Sequence, residues 1–202
     1  MCGIVGSKKI DTFLDLKELN LPRGDFSFSY YAFDENLEII ASTRTFNAEE
    51  ISVHPSAYYH IGHNQAPTNG RIQDATRIHP ATTFVGSRVY HLWHNGILKF
   101  FEGDWDTMYL LHLISTEGEE KGLSSADGQF SCALHTEVEE KNTLSIFRNG
   151  SGSMFFDSEA NFSTTRFAGS SMLKYNTIYT FENSEFKDTG YFKNSNAPYY
   201  IP

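Results

Sequence analysis

The chain is poor in cysteine, proline and positive charge, and each shortage excludes something. Only two cysteines occur in 202 residues, Cys2 and Cys132. No disulfide framework and no Cys-x-x-Cys metal or redox motif can be built from them. Lysine and arginine total 16 against 25 aspartates and glutamates, leaving a formal net charge of −9. That excess of negative charge repels phosphate backbones and speaks against nucleic-acid binding. No run of 18 apolar residues is present, so no transmembrane helix is expected. Lys8, Lys9 and Asp11 interrupt the N-terminus before a signal-peptide core can form, so the expected location is cytoplasmic. The glycine-rich stretch Arg148–Ser153 lacks a P-loop lysine and reads as a turn.

What the chain has is aromatic mass and short β-branched runs. It is 40% hydrophobic and 15% aromatic, with 17 Phe and 11 Tyr. Strands are expected at 2–5, 26–33, 38–43, 58–63, 88–94, 129–137, 142–148, 153–156, 161–166 and 177–181. Apolar spacing predicts helices over 11–19 and 104–116, the latter capped by Asp104 or Asp106, and a short one over 167–173. The acidic run 117–121 reads as a solvated turn. Residues 66–87 read as a long loop, and loops of that length in compact domains are usually functional.

Cys2 lies directly behind the initiator methionine. Once Met1 is removed, one residue carries both a thiol (pKa about 8.5) and an α-amine (about 7.7–8.0). The amine can take the thiol's proton, which is the logic of an N-terminal nucleophile. Cys132, in the alternating run Phe130–Leu134, reads as a small core residue. His60/His63 and His91/His94 form two His-x-x-His pairs. On strands, positions i and i+3 point to opposite faces, so neither pair converges on one ion and no metal is expected.

Four motifs occur in order: Met1-Cys2-Gly3-Ile4-Val5-Gly6, Gly62-His63-Asn64-Gln65-Ala66-Pro67-Thr68-Asn69-Gly70, His79-Pro80, and His94-Asn95-Gly96-Ile97. Asp104-Trp105-Asp106-Thr107 follows, ahead of a helix. Together they resemble the class II, N-terminal-cysteine glutamine amidotransferases over roughly residues 2–170. The resemblance implies an α+β fold, the four-layer αββα N-terminal-nucleophile hydrolase sandwich of two mostly antiparallel sheets. It implies one glutamine amidotransferase type-2-like domain over 1–202, with Met1 removed and no cofactor. The implied catalytic set is Cys2 as nucleophile with Asn95 and Gly96 as the oxyanion hole. The implied substrate-binding set is Asp106, His79, Gln65 and Thr68, with Asp106 gripping the substrate's α-ammonium. The implied substrate is glutamine or a related small amide. The ammonia acceptor is expected on a separate synthase subunit, because the chain ends soon after the matching region.

One position departs from the resemblance. The family usually carries Arg where Gln65 stands, to hold the substrate's α-carboxylate. A neutral amide in its place weakens that contact by about 1–3 kcal/mol. Arg71, Arg77 and Arg88 are the nearby candidates to compensate. The departure keeps open an amidohydrolase acting on another amide; a non-catalytic regulatory module with the same fold is the further alternative, against which the retention of Cys2, Asn95, Gly96 and Asp106 together speaks.

Overall fold

The structure, a computed structural model, describes residues 2–67, 73–101 and 103–194. In chain order the elements are β1 (Gly3–Ser7), α1 (Ile10–Leu19), β2 (Ser27–Phe33), β3 (Ile39–Thr45), β4 (Tyr59–Gln65), β5 (Ala81–Val85) and β6 (Arg88–Leu98). They continue with α2 (Asp106–Glu117), α3 (Glu119–Ser125), β7 (Gly128–Glu137), β8 (Thr143–Arg148), β9 (Phe155–Phe156), β10 (Phe162–Ser163), β11 (Ser171–Met172), β12 (Thr177–Glu182) and β13 (Glu185–Tyr191). The strands form a seven-stranded sheet, β11-β9-β10-β1-β4-β2-β3, and a six-stranded sheet, β13-β12-β8-β7-β6-β5. The strand pairings in both sheets are antiparallel.

The sheets pack face to face, and strand alternation explains how. In β2, Tyr31 and Phe33 enter the core between the sheets, while Tyr30 and Ala32 face outward onto α1. The between-sheet core gathers Ile4, Tyr59, Ile61, Trp93, Ala133, Ile146 and Phe162. Outside the first sheet, Phe13 and Leu16 of α1 seal Val5 and Tyr30. Outside the second, Leu110, Leu111, Ile114 and Leu123 of α2 and α3 cover Leu92, Cys132 and Leu134. Each such side chain contributes about 1.5–3 kcal/mol on full burial. Because helices cover both outer faces, all seven residues of β2 and of β4 are buried. The result is the α+β four-layer sandwich. Cys132 is a core residue, fully buried.

Several elements differ from the sequence-based expectation. Residues 167–173 form a turn followed by the short β11, not a helix. Gly169 has φ +76° and the Ser170 hydroxyl bonds the Phe167 carbonyl, which closes a turn and ends any helix there. The acidic run is helix end, Gly118 and helix start: Gly118 breaks the chain at φ +87° and α3 begins at Glu119. Burial of Leu123 against α2 holds α3 in place. Asp104 is no cap, since Trp105 occupies the N-cap of α2 without a side-chain bond. Asp104 instead pairs with Arg77 at 3.4 Å. β5 rises out of the expected 66–87 loop, and β13 is an edge strand whose polar residues hide the alternation. Among the described residues, no helix is long and apolar enough to cross a membrane.

Candidate active site

Three elements meet at one end of the sandwich. Cys2 immediately precedes β1, which is held in register by β4. Asn95 and Gly96 lie near the end of β6, and Asp106 opens α2. They line one cavity of about 320 Å³ together with Ala66, Pro67, Ile97, Phe101, Asp104, Trp105 and Gln129. That volume sits at the small end of the range for small-molecule sites, about 300–1,000 Å³.

Cys2 is held from several sides. The Arg23 Nε donates to its carbonyl at 2.9 Å, and the Thr164 hydroxyl donates to the same carbonyl at 3.5 Å. Burial raises the thiol's pKa; the Ala66 backbone N–H and the Arg23 charge oppose that rise, while Asp106 adds to it. Burial therefore favours the neutral thiol.

The oxyanion-hole candidates differ in what constrains them. Asn95 is buried, yet its Oδ1 has no hydrogen-bond partner among the described residues. Its carboxamide is not consumed by the fold. Gly96 is dictated by packing: a Cβ there would stand 1.9 Å from the Gln129 carbonyl oxygen of β7. Asp106 Oδ2 accepts the Leu98 N–H at 3.2 Å, which ties the start of α2 to the end of β6.

Two further candidates sit behind the cavity wall. The Gln65 carboxamide is spent on internal bonds. Its Oε1 accepts from Ser27 Oγ (3.0 Å), from His79 Nδ1 (3.0 Å) and from the His79 N–H (3.4 Å), and its Nε2 donates to the Arg77 carbonyl (3.1 Å). Gln65 therefore clamps the 77–79 segment to β4. A carboxamide oxygen only accepts, so His79 Nδ1 carries the proton and Nε2 takes the Thr107 hydroxyl at 3.1 Å. The same hydroxyl meets His94 Nδ1 at 3.1 Å. The His63 ring lies tilted by 37° against His79 at 4.2 Å, and His79 meets Trp105 of the cavity wall edge-on at 5.2 Å. Burial holds all three imidazoles neutral: His63 is lowered to about 3, and His79 and His94 also titrate below the usual range. Thr68 lies outside the described residues, as do Met1 and Arg71.

Of the compensating arginines, Arg77 is engaged by Asp74 (3.2 Å) and Asp104 (3.4 Å). Arg88 opens β6 at the end away from Asn95. No Lys or Arg side chain lines the cavity among the described residues. Sequence reasoning missed Arg23, Gln129 and Trp105 as parts of this site. A Trp between the two acidic residues at a helix start was the available signal for the last.

The fold is a sandwich of two antiparallel sheets with the architecture of the N-terminal-nucleophile hydrolase fold. The solved structures it resembles include glutamine phosphoribosylpyrophosphate amidotransferase from B. subtilis complexed with ADP and GMP. The TM-score is 0.70 at 15% identity, covering 93% of this chain and 49% of that one. An allosteric regulatory enzyme of purine biosynthesis matches with TM-score 0.69 and 16% identity, over 93% of this chain and 48% of that one. A predicted glutamine amidotransferase from Pseudomonas aeruginosa PA01 matches with TM-score 0.56 and 12% identity, over 93% and 95% of the two chains. The chain thus spans about half the length of the first two. No family model matches it, and no curated protein sequence does. At these identities the likeness is one of fold.

Proposed function

We propose that this chain is a glutaminase-type amidotransferase domain in which Cys2, as the first residue of the mature protein, hydrolyses the side-chain amide of glutamine. The observation that carries the reading is one cavity lined by a buried thiol, an unspent carboxamide, a glycine backbone and a carboxylate. In the proposed reaction the freed α-amine takes the Cys2 proton, and sulfur attacks the amide carbon to form a C–S bond. Asn95 and the Gly96 N–H stabilise the resulting oxyanion. The C–N bond breaks, and ammonia leaves with the proton returned by the amine. Water then cleaves the thioester, giving glutamate and regenerating the thiol. Asp106 binds the substrate's α-ammonium. Gln65 and His79 act behind the wall, holding the 77–79 segment and Trp105 in place. Thr68 remains a proposed substrate contact.

The ammonia acceptor is proposed to lie on a separate synthase subunit. Exposed Ile97, Phe100 and Met108 support this, since they offer an apolar surface beside the cavity. A second reading, hydrolysis of a different small amide, is favoured by the lack of a cationic side chain among the described cavity residues. The test is ammonia release by Met1-free protein. Glutamine turnover that Cys2→Ala abolishes supports the first reading. Turnover of other carboxamides but not glutamine selects the second, and no turnover of either refutes both.

A further inference from the structure

A second cluster of functional groups lies on the inner face of the six-stranded sheet, away from the thiol. β6 and β7 pair so that His91 stands directly opposite His135, and Val89 opposite Glu137. Positions two apart on a strand share a face. His91, His135 and Glu137 therefore project from one side of a rigid ladder. One ring nitrogen of each histidine and a carboxylate oxygen of Glu137 lie within 4.8 Å of one another. The cluster is four residues along β6 from Asn95, about 13 Å at 3.3 Å per residue.

The hydrogen bonds around the rings leave one imidazole lone pair unused. His135 Nε2 donates to the Leu37 carbonyl at 2.8 Å, so its lone pair is on Nδ1. Nδ1 is buried without a hydrogen-bond partner among the described residues, on a fully buried side chain. An orphaned imidazole lone pair in a core is costly and calls for an electron-pair acceptor. His91 Nδ1 is anchored by Thr82 Oγ1 at 3.0 Å, and its Nε2 faces Glu137 Oε1 at 2.9 Å. Arg44 donates to the Tyr31 hydroxyl at 2.8 Å and to Thr82 Oγ1 at 3.1 Å, which leaves the Thr82 proton for His91 Nδ1; His91 Nε2–H then donates to the Glu137 carboxylate, and a cation bound there would displace that proton. Each imidazole thus has the outer partner that metal-binding histidines use to set tautomer and orientation.

We infer that His91, His135 and Glu137 form a binding site for a first-row divalent transition-metal cation such as zinc, distinct from the thiol cavity. Two imidazoles and one carboxylate are a recognised zinc donor set that leaves a position for water. Tetrahedral ligands with bonds near 2.0–2.2 Å stand about 3.3–3.5 Å apart. The three donor atoms lie within 4.8 Å of one another, and the Glu137 side chain, 38% exposed, has room to turn. Glu137 opens onto a surface recess that also holds Glu38, Glu139 and Asn142. The carboxylates of Glu38 and Glu139 make the entrance negative, which draws cations.

The test is titration of Zn²⁺ into chelator-treated full-length protein by calorimetry, in the wild type and in a Cys2→Ala background that removes the cavity thiol as a competing zinc ligand. One equivalent is expected to bind in both backgrounds. Glu137→Gln, a half-exposed isostere unable to disturb the core, is expected to weaken it at least tenfold, as is His135→Gln. Absorption bands of Co²⁺ in the same site would report tetrahedral nitrogen and oxygen ligation. Absence of binding at 100-fold excess over protein, loss of binding with Cys2→Ala, or unchanged affinity in Glu137→Gln would each overturn the assignment.

Discussion

Replacing Gln65 separates a clamp from a substrate ligand. Gln65→Met keeps the side chain's length and removes both polar atoms. The substitution orphans the Ser27 hydroxyl, the His79 N–H and the Arg77 carbonyl, all now satisfied by one carboxamide. His79 Nδ1 loses its acceptor as well. A buried group left unpaired costs about 1–3 kcal/mol. Ser27 can rotate to a new partner and the Arg77 carbonyl is only partly buried, so the sum is well short of four full penalties. A loss of about 2–4 kcal/mol is expected. Urea denaturation read by circular dichroism measures it as a shift in midpoint at constant m-value. Gln65→Arg is expected to do worse, because a guanidinium would enter a buried site beside imidazoles already kept neutral. If Gln65→Met changes stability by under 0.5 kcal/mol while raising the KM for glutamine, the carboxamide is a substrate ligand and the clamp argument fails.

Asn95→Ala is expected to lower kcat by about 10²–10³ with KM and thermal midpoint little changed, since its Oδ1 has no partner in the described fold to lose. Steady-state kinetics beside a melting curve decide it. Gly96→Ala should instead fail as a fold variant, because the added methyl meets the Gln129 carbonyl oxygen at 1.9 Å; soluble yield and melting temperature report this. Stability should fall on acidification. His63 and His135 titrate at about 3 and about 4 when folded and near 6.5 when unfolded. Between those values the unfolded chain binds more protons, so each depressed histidine contributes stability that is present above pH 6.5 and lost as pH falls toward its folded value. A melting temperature constant from pH 7 down to 4.5 would contradict the buried, neutral histidines.

The cavity was legible where residues adjacent in sequence do the work. Cys2, Asn95, Gly96 and Asp106 come together because each belongs to a short motif at the end of a regular element. Gln65 stands by resemblance at a carboxylate-binding position, and its bonds to Arg77 and His79 are hidden from the sequence because they form only after the chain between them folds back. The strands were legible from their aromatic and β-branched runs, whereas β5 and β13 carry too many polar residues to alternate visibly. Leu123, the apolar residue that buries α3, lies just past the acidic run, so that run read as a turn. Histidine spacing along single strands pointed away from an ion. The His91–His135 juxtaposition is a matter of register between strands, which periodicity within one strand does not contain.

The most direct measurement of the central claim is intact-mass analysis and peptide mapping after exposure to a diazoketone analogue of glutamine. The account predicts a chain lacking Met1 that gains one adduct, on the Cys2 sulfur, and is protected by excess glutamine. A chain that keeps Met1 and takes no adduct, or an adduct on Cys132 alone, would contradict it.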